Sequence, residues 1–107
     1  MAGFSANNAS NALPVYIGGV PGGVSKGYQQ LGTLSAAEGL TVPSGASNAV
    51  IAVSGAAVRW RSDGVAPTAS LGMPVAAGET LVVGGPLMST IQFIEQSGTA
   101  ELDVTYF

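Results

Sequence analysis

The chain has 107 residues and a formal charge of −3 from three basic and six acidic side chains, and only 8% of it is charged, against about 25% in an ordinary globular domain. So few basic groups exclude a surface that neutralises nucleic-acid phosphates, and the absence of cysteine excludes disulfides and thiolate metal sites. The length suits one domain that buries about 60–70% of its unfolded surface, and no apolar run approaches the roughly 20 residues of a membrane-spanning helix.

Residues 1–26 come first and differ from the rest. They carry no charge before Lys26 and are rich in Gly, Asn, Ala and Ser. Pro14, Pro21 and the pairs Gly18-Gly19 and Gly22-Gly23 forbid a long helix, which leaves Leu13-Pro14-Val15-Tyr16-Ile17 as a possible extended piece. Ordering each residue costs roughly 1–2 kcal/mol of backbone entropy, and this segment has little of its own to bury. It reads as an assembly arm fixed by a partner surface, with Phe4, Leu13, Val15, Tyr16, Ile17 and Val20 as its contact residues. It lacks the basic start and apolar core of a secretory signal.

Residues 27–107 read as one all-β domain, an antiparallel β-sandwich or jelly-roll-like barrel carrying the extended N-terminal arm. Short runs rich in Val, Ile, Thr and aromatics recur between Gly, Pro, Ser and Asp punctuation. They predict strands over 28–34, 40–42, 49–54, 57–62, 80–83, 90–96 and 100–106, with one helical turn possible at 35–38. In the last strand Leu102, Val104 and Tyr106 alternate with Glu101, Asp103 and Thr105, the period of a half-buried strand. The strand over 90–96 alternates less cleanly, as one covered on both faces does. Val65 to Ala76 reads as a loop over an open end or edge, because Pro67 and Pro74 disqualify a central strand. Ser97-Gly98 reads as the turn of a closing hairpin. The expected core comprises Val58, Trp60, Phe93, Leu102, Val104 and Tyr106.

Little in the chain suggests chemistry. There is no histidine, hence no Ser-His-Asp or Cys-His system. Lys26 lies at the glycine-rich exit of the arm and reads as a solvated side chain. Glu101 and Asp103 stand about 7 Å apart along one strand, within reach of two-carboxylate glycoside chemistry, yet adjacent outward acids are far more often a solubilising face. The Gly18 to Gly23 stretch lacks the lysine and the following helix of a phosphate loop. No catalytic residue, cofactor site or metal site is expected. Arg59-Trp60-Arg61 stands out, and strand alternation puts Val58 and Trp60 on one face and the arginines on the other. Either Trp60 is a core residue and the arginines pair with acids on neighbouring strands or chains, or it is exposed for stacking on a sugar.

The stretch Val58-Arg59-Trp60-Arg61-Ser62-Asp63-Gly64-Val65-Ala66-Pro67-Thr68-Ala69-Ser70-Leu71-Gly72-Met73-Pro74-Val75-Ala76-Ala77-Gly78-Glu79-Thr80-Leu81 resembles an element of small virion structural proteins of tailed bacteriophages. Ile91-Gln92-Phe93-Ile94-Glu95-Gln96 and Leu102-Asp103-Val104-Thr105-Tyr106 resemble their closing strands. The resemblance covers roughly residues 50–107 and leaves the arm outside it. It implies a non-enzymatic capsid decoration (cement) protein on the capsid exterior of the virion, made in the host cytoplasm, with the major capsid protein as partner. It also implies alternatives near the tail or neck. A dimer or trimer is expected from the weakly charged surface, with neither nucleic acid nor membrane as partner. A host-glycan-binding module displayed on the virion is the reading from another class.

Overall fold

The computed structural model describes residues 24–107, and the arm residues Phe4, Leu13, Val15, Tyr16, Ile17 and Val20 lie outside that range. The described chain is all-β, with eight strands: β1 (Gly27–Leu31), β2 (Glu38–Gly39), β3 (Asn48–Ser54), β4 (Val58–Arg61), β5 (Met73–Val75), β6 (Thr80–Gly84), β7 (Gln92–Glu95) and β8 (Glu101–Tyr106). A 3-10 turn, Gly85–Ser89, follows β6 with Pro86 as its second residue, where the ring fixes φ and the missing N–H costs nothing.

The strands form two antiparallel four-stranded sheets, ordered β1-β8-β3-β6 and β2-β7-β4-β5. Among the described residues each sheet ends at two edge strands, so the sheets do not close into the barrel that the sequence left open. Only β4 and β5 pair with their neighbour in sequence; every other connection carries the chain from one sheet to the other. The Ser97-Gly98 turn is therefore not a hairpin. It is an arch that takes the chain from β7 across to β8, with Gly98 at φ +78° and the Glu95 carboxylate accepting the Ala100 N–H at 3.2 Å.

One hydrophobic core lies against both sheets. Ala49, Ile51 and Val53 of β3, Val83 of β6, and Leu102, Val104 and Tyr106 of β8 meet Val58 of β4, Val75 of β5 and Phe93 of β7. The alternation in β8 is as the sequence predicts: Leu102, Val104 and Tyr106 are buried while Glu101 is exposed and Asp103 and Thr105 are partly covered. In β7 the outward Gln92 and Ile94 are partly covered, so the weak alternation there reflects a half-covered outer face.

Four local expectations are corrected. The predicted strand at 28–34 ends at Leu31, and Leu34 instead turns its side chain into the core. Pairing in the second strand falls at Glu38–Gly39 rather than 40–42. The possible helical turn at 35–38 is absent, its residues forming a bend that leads into β2. Part of the proline loop is a strand, β5, which the proline rule admits because β5 is an edge, paired only with β4.

Candidate interaction surface

The two sides of the paired sheets are closed differently. On the side of β1 and β2 the link is polar: the Gln29 side-chain carbonyl accepts from the Thr41 N–H at 3.0 Å and from the Tyr106 hydroxyl at 2.7 Å. Burial pushes the Tyr106 hydroxyl pKa up. Tyr28 and Gln30, on the outer face of β1, donate to Asp103 at 2.6 and 3.1 Å, which raises the Tyr28 pKa. Asp103 is thus a satisfied acceptor on the outer sheet face. Among the described residues no group of three or more His, Cys, Asp or Glu side chains is arranged to hold a metal ion.

On the opposite side, where β5 and β6 run, the closure is apolar and incomplete. Trp60 pairs across strands with Met73 on the inward-facing side of the sheet. Because β5 is an edge three residues long, these two side chains sit at the mouth of the core rather than within it. Trp60, expected in the core, is partly buried and packs against the core cluster from its margin. An open hollow of about 300 Å³ lies over it, lined by Trp60, Met73, Pro74, Val75, Glu79, Thr80 and Leu81. A smaller one continues toward Val82, Leu87 and Ile91. Met73 and Leu87 beside this furrow are 56% and 50% exposed, and Val82, on the outer face of β6, is 43% exposed.

The arginines on either side of Trp60 do not pair with neighbouring strands as expected. Arg61 binds Asp63, two residues along, through Nε at 3.1 Å and Nη2 at 2.5 Å. That contact holds the Asp63 carboxyl below its ordinary range and pushes Arg61 higher. Arg59 lies on the outer face between Ile94 and Pro74 and donates from Nη1 to the Gly72 carbonyl at 2.8 Å, while its Nε is buried without a partner. Arg59 therefore pins the loop before β5: a Cβ on Gly72 would stand 3.1 Å from the Arg59 Cβ.

The free edge of β6 completes the surface. The Val53 N–H donates to the Glu79 carbonyl, and the Gly85 N–H to the Ser47 carbonyl. With the β3–β6 register, this turns the peptide groups of residues 79, 81 and 83 toward β3 and those of Thr80, Val82 and Gly84 outward. Natural edges are guarded by charge, proline or shortness. β5 has Pro74 and β2 has two residues, whereas among the described residues neither β1 (Gly27–Leu31) nor β6 (Thr80–Gly84) has such a guard. β6 was legible in the sequence; its position at an edge was not, because strand order is set by long-range pairing.

Val58, Phe93, Leu102, Val104 and Tyr106 are buried together in one cluster, and the Arg59-Trp60-Arg61 triplet marks its mouth. Compared with family models, with curated proteins and with solved structures, the chain matches none.

Proposed function

We propose that this chain is a structural protein of a bacteriophage virion, a capsid decoration protein that sits on the exterior of the assembled shell. There it bridges major capsid subunits and stabilises the shell. The observation that carries this reading is the strand order. In β1-β8-β3-β6 facing β2-β7-β4-β5, each strand n lies beside strand 9 − n, the winding of a jelly-roll sandwich, an architecture used in viral capsid domains. The resemblance of residues 50–107 to small virion proteins of tailed phages supports the same reading. So does a surface with too few charges to suit a free monomer. The mechanism is area: contacts of a few kcal/mol, repeated at every copy and made bivalent by an arm at residues 1–26, add up over the shell. The protein forms dimers or trimers and works without cofactor, catalysis, nucleic acid or membrane.

Deleting residues 1–23 tests this. The truncated chain keeps a cooperative melt, decorates purified shells more weakly, and leaves them rupturing at a lower temperature than shells carrying the full chain. Equal decoration and equal protection by the truncated chain would remove the arm from the mechanism.

The partly exposed indole of Trp60 favours one further reading, a glycan-binding module, since jelly rolls also serve as lectins and an aromatic beside an open hollow suits a sugar face. Glycan-array binding by the intact protein, lost in Trp60→Ala with the fold retained, would select it.

A further inference from the structure

We propose that Asp63-Gly64 is a modification site, where the aspartate converts without an enzyme to isoaspartate, and that Arg61 slows the conversion in the folded chain.

The reaction needs an aspartyl carboxyl, the backbone nitrogen of the next residue, and room for the two to meet. The Gly64 nitrogen attacks Asp63 Cγ; an N–Cγ bond forms, a Cγ–O bond breaks, and the carboxyl hydroxyl leaves with the amide proton as water. A second water then opens the five-membered ring. Addition at Cγ restores aspartate, whereas addition at the Asp63 main-chain carbonyl breaks its bond to Gly64 and leaves the backbone running through Cγ, one carbon longer. No oxidant or cofactor enters the balance. Both reacting groups belong to one dipeptide, so proximity drives the attack.

The two aspartates of the chain, Asp63 and Asp103, stand at opposite limits for this step. Asp63 and Gly64 are exposed in the bend after β4. Among the described residues no hydrogen bond engages the Gly64 N–H, and a Cβ on Gly64 would find nothing within 4 Å. The nucleophile is unpartnered and uncrowded. Asp103 lies inside β8, where the following residue, Val104, is buried and paired with both Gln29 and Ile51. Its carboxylate accepts from Tyr28 and Gln30. Bringing the Val104 nitrogen to that carboxyl would break the sheet.

Arg61 supplies the restraint at Asp63. Its Nε and Nη2 grip the two carboxylate oxygens at 3.1 and 2.5 Å, and the Val65 N–H reaches Oδ1 at 3.4 Å. Held in this way the carboxyl stays ionised and has no hydroxyl to release. Conversion would move the charge onto the former main-chain carbon and free Arg61. Both residues line an open hollow of about 260 Å³ with Trp60, Ser62 and Met73, so the change alters the polar side of the Trp60 furrow.

The test incubates the folded full-length chain and Arg61→Gln in mildly acidic buffer. Electron-transfer fragmentation of their peptides then separates isoaspartate from aspartate of equal mass. Isoaspartate should accumulate at residue 63 and not at residue 103, and about two- to fivefold faster in Arg61→Gln, the factor that an exposed ion pair can supply. High salt screens the pair and should speed the native chain in the same way, with no substitution needed. In urea, where the contact is gone, the two chains should convert at one rate. Absence of isoaspartate at residue 63, or equal accumulation at 63 and 103, overturns the site. Equal rates in the folded chains, or a difference that persists in urea, overturns Arg61 as its restraint.

Discussion

Gly55 is the residue on which the turn between β3 and β4 depends. It sits at φ +82°, and a Cβ there would stand 2.5 Å from the Thr99 carbonyl oxygen in the arch between β7 and β8. Gly55→Ala therefore meets both left-handed strain of about 1–2 kcal/mol and a backbone clash. Gly45→Ala, at φ +83° with open space around it, meets the strain alone. Urea melts of the two variants should separate, with Gly55→Ala the less stable. The Arg61–Asp63 contact gives a pH signature. Asp63 is lowered in the fold, so its stabilisation is complete above its ordinary pKa near 4 and is lost as pH falls through the lowered value. The two groups are exposed and the effect is small. Urea midpoints of the native chain and Asp63→Asn should differ slightly at pH 6 and converge in stronger acid; a gap that persists below pH 2 would assign the difference to something other than ionisation.

At the scale of the elements, Phe93 and Trp60 separate the closed and open parts of the core. Phe93 is fully buried, so Phe93→Ala should cost about 3–5 kcal/mol, and Trp60→Ala, at the furrow mouth, should cost less. Equal losses in chemical denaturation would place the indole as deep as the phenyl ring. The same contrast explains what the sequence disclosed. Alternation in β8 is local, and it identified Leu102, Val104 and Tyr106 as inward. The inner position of Val58 and Phe93 was legible for the same reason. Trp60 was not, because whether its strand neighbour is a long central strand or the short edge β5 depends on a pairing 13 residues away. Ser97-Gly98 is turn chemistry in either case, but a hairpin and an inter-sheet arch use the same residues. β5 was hidden by Pro74, whose constraint rules out central strands and permits edges. The unguarded edge of β6 emerged only once both sheets were ordered, and with it the candidate surface.

For the whole molecule, the winding of strands accounts for how few neighbours in sequence are neighbours in space. Every connection but β4–β5 crosses between sheets, so the fold forms only when distant segments meet, and one core then holds both layers. That arrangement leaves an outer face on the β1-β8-β3-β6 sheet where Asp103 and Glu101 are the charged groups, and an apolar furrow along one side. Both are suited to being covered, and the central claim is that a capsid and neighbouring copies cover them. The most direct measurement is a cryo-electron-microscopy map of the phage particle, compared between particles with the protein and particles lacking it. The account predicts difference density repeated over the outer capsid lattice, with each copy touching more than one major capsid subunit. Density confined to a single vertex, or no difference on the shell at all, would contradict it.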